Sequence, residues 1–287
     1  MADDPLPPLR DVIAAHDLGA KKSFGQNFLL DLNLTRKIAS LAGEMGGTHA
    51  IEVGPGPGGL TRGILAHGVR KLTVVEKDER FLGALDDIGQ AWPGLLDVVR
   101  ADALEVDETA FMEDGDKVIL SNLPYNVGTL LLIKWLEADP IWWRRAVLMF
   151  QREVADRVVA TVGDKAYGRL AILSQSVTTA RLALKIPARA FTPPPKVESA
   201  IVVLDPLPEA DRFDDLEALG RVTASAFGQR RKTLRKSLGQ AAGQANTSSD
   251  DLLDAAGIDP GARAETISIE GFQTLARAWR AARSAAS

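Results

Sequence analysis

The chain has 287 residues, a formal net charge of −4 and 46% hydrophobic residues, enough for a large domain with a real core and a smaller one beside it. It contains no cysteine, which excludes disulfides, thiolate nucleophiles and Cys-ligated metals; His16, His49 and His67 are scattered without ligand spacing, so no metal site is expected. Residues 1–10 are acidic and proline-rich, and no apolar run nears the roughly 20 residues that span a bilayer, so the expectation is a cytoplasmic protein without a membrane association.

A short amphipathic segment at 9–18 precedes KKSFGQNFLLD at 21–31. Gly25, Gln26 and Asn27 read as a loop, and Asp31 or Asn33 as the cap of a helix outlined by Leu34, Ile38 and Leu41. The two amides either wrap a ligand's polar end or sit in a capped turn with Phe24 and Phe28 in the core. From Thr48 onward the pattern alternates. Strands are predicted near 49–54, 71–76, 95–100, 117–121 and 145–150, with helices near 59–67, 79–88 and 128–137, which implies a mostly parallel sheet with helices on both faces. Ligands gather at the carboxyl ends of such strands.

The first of those ends is glycine-dense. Gly54, Gly56 and Gly59 match G-x-G-x-x-G between a strand and a helix, a spacing that lets a nucleotide-like ligand approach the backbone. Pro55 and Pro57 each remove an N–H, which argues against a pyrophosphate cradle and hence against a dinucleotide oxidoreductase. Glu52, inside the strand, reads as an anchor for the loop's backbone N–H groups. Glu76 closes the second strand, where its carboxylate accepts from ribose hydroxyls or is simply a solvated charge. Asp102 either accepts from an exocyclic amine or caps a helix. In Asn122-Leu123-Pro124-Tyr125, the proline pushes Leu123 out of the helical region, so that its carbonyl and the Asn122 side-chain oxygen can aim at one donor, with Tyr125 as a stacking face.

Further along, helices are predicted near 153–162 and 170–177 and strands near 180–186 and 197–204. Between those strands lies Phe191-Thr192-Pro193-Pro194-Pro195-Lys196-Val197, a rigid loop in which Phe191 is either a second stacking face or core. Asp205-Pro206-Leu207-Pro208 is the expected linker, dividing a domain at 1–207 from a small all-α domain at 208–287. No Asp or Glu occurs from Arg221 to Ser249. In that window a helix is expected to stack Arg231 over Arg235 and Lys232 over Lys236, with Leu234 and Leu238 on another face. With Arg230, this cluster reads as a phosphate contact or as a solvated face.

Taken in order, Gln26-Asn27-Phe28-Leu29, Glu52-Val53-Gly54-Pro55-Gly56, Glu76-Lys77-Asp78, Asp102-Ala103, Asn122-Leu123-Pro124-Tyr125-Asn126 and Phe191-Thr192-Pro193-Pro194-Pro195-Lys196-Val197 resemble the ribosomal RNA adenine dimethyltransferase family. The likeness extends over nearly the whole chain, and the segment Phe227-Gly228-Gln229-Arg230-Arg231-Lys232-Thr233-Leu234-Arg235 is similar to the family's bacterial small-subunit branch. Val127-Gly128-Thr129 departs from the family's more usual Ile-Ser-Thr and bears on the cap of the next helix. The resemblance implies a Rossmann-like class I methyltransferase fold (α/β) with a small C-terminal all-α domain. It also implies S-adenosyl-L-methionine as cofactor and dimethylation of two adjacent adenines near the 3′ end of 16S rRNA in the small ribosomal subunit; a monomer is expected.

Carried over by position, Asn27 and Leu29 close over the methionine end, Gly54 lies beneath it, Glu76 holds the ribose, Asp102 the adenine amine, and Asn122 lies beside the methyl donor. Asn122 and Leu123 would hold the target amine, Tyr125 and Phe191 would sandwich the base, and Arg230, Arg231, Lys232, Arg235 and Lys236 would contact RNA. The rivals are an N6-adenine methyltransferase acting on large-subunit rRNA or DNA, and a non-catalytic rRNA-binding assembly factor.

Overall fold

The computed structural model describes residues 4–19 and 27–285. Phe24, Gly25 and Gln26 of the expected amide loop lie outside them. Backbone contacts divide the chain into two units, Met1–Ala155 with Arg181–Pro206, and Asp156–Ala180 with Leu207–Ser287. The second cut falls in the expected linker. Asp156–Ala180, placed in the first domain from the sequence, instead packs with the helical unit, because Ala171, Ile172 and Leu173 join the apolar core of that unit. A chain that leaves a core and returns to it carries no linker signal at the first crossing.

The first unit holds α1 (Leu9–Ala15), β1 (Phe28–Leu29), α2 (Leu32–Ser40), β2 (His49–Val53), α3 (Gly59–Ala66), β3 (Lys71–Glu76), α4 (Leu82–Ala91), β4 (Leu96–Arg100), β5 (Lys117–Asn122), α5 (Gly128–Leu136) and β6 (Arg145–Gln151). After α6 (Arg152–Val159) and α7 (Arg169–Gln175) come β7 (Thr178–Ile186), β8 (Phe191–Thr192) and β9 (Ser199–Pro206). Seven strands form one sheet in the order β4-β3-β2-β5-β6-β9-β7. β4, β3, β2, β5 and β6 run parallel, and β9 is antiparallel to β6. The chain moves outward from β2 to β3 and β4, then returns to β5 on the other side of β2. That reversal opens a crevice beyond the strands' carboxyl ends.

β2, β5 and β6 are buried on both faces, as in a sheet covered on both sides. Ala50, Leu72, Val74, Val118, Leu120, Val147 and Met149 join Leu9, Ile38, Ile64 and Leu85 in one core. On the opposite face Gly128, which opens α5, lies against Phe150. Asp31 caps α2 by accepting from the Asn33 and Leu34 N–H groups, as expected. The helix expected near 79–88 is a 3₁₀ turn at Glu79–Phe81 followed by α4. Arg62 on α3 is buried and binds the N-terminal segment, donating to Asp4 (2.8 Å) and to the Pro7 (2.9 Å) and Leu6 (3.1 Å) carbonyls.

The second unit completes its core with α8 (Leu216–Gly228), α9 (Leu234–Ser237), α10 (Gly239–Gln244), α11 (Ser249–Ala255) and α12 (Ile269–Ala285). Trp279 is fully buried and donates its indole N–H to the Ala241 carbonyl (2.7 Å). Among the described residues no helix is long and apolar enough to cross a membrane.

Candidate active site

A cleft of about 720 Å³ opens beyond β2, β3, β4 and β5, within the roughly 300–1,000 Å³ typical of ligand sites. It is lined by Asn27, Leu29, Gly54, Glu76, Asp102, Asn122, Leu123 and Tyr125, eight of the nine cofactor and catalytic residues expected from the sequence. Phe191 is the ninth and does not line it: the ring is buried in the core, and β8 pairs antiparallel with β1, setting Leu29 opposite Phe191. Of its two readings the structure places it in the core, where it holds the strand that carries Leu29.

The floor is set by glycine geometry. Gly54 and Gly56 have φ of +67° and +55°, and the Gly54 N–H donates to the Val75 carbonyl (2.9 Å). A Cβ on Gly59 would sit 2.4 Å from the Leu29 carbonyl oxygen, so α3 can approach the segment 27–29 this closely only with glycine there. The Ser121 hydroxyl donates to the Val53 carbonyl (2.5 Å), clamping the end of β5 to the end of β2 and setting Asn122 beside Gly54.

The anchoring role expected of Glu52 falls to Glu76. Glu52 does not hold the loop amides; it accepts from the Thr61 hydroxyl on α3 (2.7 Å). Burial, opposed by that hydrogen bond and assisted by the charge of Glu76, pushes its carboxyl up to about 8. Glu76 is the loop anchor, accepting from the N–H groups of Gly56 (3.1 Å) and Asp78 (2.7 Å). A carboxylate has about four acceptor sites, so two remain for a ligand diol.

Asp102 accepts from the Leu104 N–H (3.0 Å) in an Asx turn and from the Lys77 ammonium (2.6 Å), and Lys77 holds its pKa below the usual carboxylate range. It stays an acceptor, as an exocyclic amine requires. Behind it, Lys134 on α5 donates to the Ala103 carbonyl (2.7 Å), the Val106 carbonyl (2.5 Å) and Glu108 (2.8 Å), while Trp135 donates to the other Glu108 oxygen (2.9 Å). This clip fixes the wall formed by Ala103 and Leu104. Nothing in the sequence marks a lysine 31 residues away as its support.

In the Asn122-Leu123-Pro124-Tyr125 turn, the Asn122 amide nitrogen faces the Asn27 carbonyl (3.5 Å). Among the described residues, no donor reaches the Asn122 side-chain oxygen or the Leu123 carbonyl, whereas the Pro124 carbonyl accepts from Val127 and Gly128. The Tyr125 hydroxyl is hydrogen-bonded to Ser199 at the head of β9 (2.9 Å), which fixes the ring at the cleft. Ser199 directly follows the proline loop, so the loop also positions Tyr125.

A family model described as ribosomal RNA adenine dimethylase matches residues 18–279. The chain belongs to the ribosomal RNA adenine dimethylase family. It is 75% identical over 283 residues to ribosomal RNA small subunit methyltransferase A of Maricaulis maris, covering 98% of each chain, and 56% identical to the protein of that name from Ruegeria sp., covering 96% of this chain and 98% of the relative. Among solved structures, a dimethyladenosine transferase from Plasmodium falciparum shares the fold at a TM-score of 0.71 and 24% identity, over 85% of this chain and 94% of that one. The 23S rRNA methyltransferase ErmE gives a TM-score of 0.63 and 26% identity, over 88% of this chain and all of its own. The Rossmann-like methyltransferase sheet expected from the resemblance is the one observed.

The basic segment departs from its expected form. α8 ends at Gly228 and α9 begins only at Leu234, so Arg231 and Lys232 lie in the turn between two helices and do not stack over Arg235 and Lys236. Arg230 donates to the Lys165 and Tyr167 carbonyls (both 2.9 Å), and Arg235 pairs with Asp250 (2.7 Å). Arg231, Lys232 and Lys236 are exposed without a partner among the described residues, while Leu234 and Leu238 are buried as expected.

Two outcomes follow from these networks. Lys134→Met removes three donors and leaves buried Glu108 without its cation; an unfolding free energy lower by about 2–3 kcal/mol is expected, with faster amide exchange at 103–106, measured by denaturant titration and hydrogen exchange. Glu52 binds a proton in the fold up to about pH 8 but in the unfolded chain only to 4.5, so the protein loses stability as pH rises through that window. Glu52→Gln, which mimics the protonated form, should flatten the fall in melting temperature between pH 6 and 9.

Proposed function

We propose that the chain uses S-adenosyl-L-methionine to convert two adjacent adenines near the 3′ end of 16S rRNA in the small ribosomal subunit to N6,N6-dimethyladenine. The observation that carries this reading is the pair of acceptors without donors, the Asn122 side-chain oxygen and the Leu123 carbonyl, at a cleft whose other residues suit a nucleoside. The family and the small-subunit relatives supply the substrate.

The cleft fits the cofactor on the chemistry of its own groups. Asn27, Leu29 and Gly54 would hold the methionine end, Glu76 the ribose through its two remaining acceptor sites, and Asp102 the adenine amine, with Ala103 and Leu104 against the ring. When bound, the cofactor supplies a methyl group on a positively charged sulfur, so no metal or nucleophilic residue is required.

The amino nitrogen of adenine is a weak nucleophile because its lone pair is delocalised into the ring. Asn122 and Leu123 accept its two hydrogens and favour a tetrahedral nitrogen whose lone pair points into the cleft. This is catalysis by position and by acceptors set in place before the reaction. The proton leaves to water after transfer. Tyr125, fixed through Ser199, stacks on a base splayed from the RNA at a cost of a few kcal/mol, which is lowest in a loop. Phe191 joins that stack only if the β1–β8 pair shifts. Arg231, Lys232 and Lys236 are the cations of the basic segment available to phosphate.

Purified protein incubated with labelled S-adenosylmethionine and small subunits lacking dimethyladenine should place label in dimethyladenine at two adjacent positions. Label in large-subunit rRNA or DNA, or binding of cofactor with no transfer, would replace this reading with one of its rivals. Asn122→Ala should lower kcat by roughly 10²–10³-fold, the loss typical for one preset polar contact to a transition state, while binding S-adenosylhomocysteine within about threefold of the parent.

A further inference from the structure

A second acid-free stretch exists besides 221–249. From Lys165 to Val197 there is no Asp or Glu, and the basic residues are Lys165, Arg169, Arg181, Lys185, Arg189 and Lys196. Arg181, Lys185 and Arg189 belong to the unit that contains the cleft. Arg181 and Lys185 lie on β7, the terminal strand of the sheet, whose outer edge has no neighbour among the described strands. They are four residues apart, so their side chains leave the same face of the strand, about 13 Å from each other at about 3.3 Å per residue. Arg189 follows in the 3₁₀ turn that leads into β8, the strand paired with Leu29 of the cleft.

All three are exposed, and none has a hydrogen bond or ion pair among the described residues. No acidic group neutralises them from the adjoining strand, because the one acid of β9, Asp205, is held by Arg145 (2.5 Å). The nearest acid in sequence after them is Glu198. Three like charges along one edge, without a carboxylate partner among the described residues, are stabilised by a polyanion and not by the fold.

We propose that Arg181, Lys185 and Arg189 form a phosphate-contact stripe for the rRNA backbone along the free edge of the catalytic unit's sheet, a footprint carried by residues other than those of the basic segment. The proposal rests on the rRNA reading above. About 13 Å exceeds the spacing of neighbouring phosphates along one strand, so each cation can serve a different phosphate. Such contacts carry no sequence information; they set the register in which an RNA loop is offered to the cleft.

The test is the affinity of the protein for small subunits lacking dimethyladenine, measured across a potassium chloride series, for the parent, for R181Q/K185Q/R189Q and for each single variant. Each lost phosphate contact should lower the slope of log affinity against log salt by about 0.7–0.9, so by roughly 2–3 for the triple variant and by about one unit for each single one. The triple variant should bind at least tenfold more weakly at the lowest salt, with unchanged S-adenosylhomocysteine binding and melting temperature, and R181K/R189K should keep the parent slope. Parent slopes in the triple variant, above all if light scattering then shows it self-associating, would overturn the proposal and assign these cations to keeping sheet edges apart. If the triple variant does not fold, unchanged slopes in all three single variants have the same force. A parent protein that neither binds nor methylates the subunit would instead remove the rRNA reading itself.

Discussion

The cleft depends on two neighbouring parallel strands ending at the same level. β2 and β5 are clamped there by the Ser121 hydroxyl on the Val53 carbonyl, and the next residue on each chain is Gly54 and Asn122. Because the strands run parallel, one end of the sheet collects every functional turn, and because the chain reverses direction at β2, the helices leave that end open. The glycine at 54 and the proline at 124 meet at this junction: a Cβ at 54 would stand 3.4 Å from the Pro124 ring, in contact with it, and the φ of +67° is what disfavours a side chain there.

Around this junction the polar residues divide between holding the protein and facing a ligand. Glu76 spends one lone pair on the glycine turn after β2 and one on its own turn, and Asp102 on Leu104 and Lys77; both keep acceptor capacity toward the cleft. Glu52 is different. Buried against Thr61 and close enough to Glu76 to feel its charge, it is held largely protonated at neutral pH, so the cleft carries one fewer negative charge than its sequence suggests. In the Asn122-Leu123-Pro124-Tyr125 turn the Asn122 side-chain oxygen and the Leu123 carbonyl have no donor among the described residues, so both are open to an amine that enters the cleft.

Much of this was legible in the sequence because period and punctuation report backbone geometry directly. The strands at 49–53, 71–76 and 117–122 fall within a residue or two of their predicted limits, since each is an apolar run closed by glycine, a charge or a proline. What was not legible depends on contacts distant in sequence. Lys134 and Glu108 meet across 26 residues, Ser199 meets Tyr125 across 74, and neither pair shows a period or motif. Phe191 has the composition of a stacking face, but its pairing with Leu29 decides its burial, and pairing partners cannot be read from one strand of two residues. The excursion of Asp156–Ala180 into the helical unit was hidden for the same reason.

The two acid-free windows show why a count of positive residues is a poor guide to nucleic-acid contact. Each holds six basic residues. In the window after Arg221 the fold engages part of the charge itself: Arg230 closes onto two carbonyls, Arg235 onto Asp250, and the break between α8 and α9 separates the rest. In the window before Val197 the edge strand holds Arg181 and Lys185 at fixed spacing and provides no acid to meet them. A cation that already donates to the protein has less to gain from phosphate, since the new contact must replace an existing one. Affinity for a polyanion is set by the charges the fold leaves unspent, and in the catalytic unit those include Arg181 and Lys185 on β7, a terminal strand of the sheet.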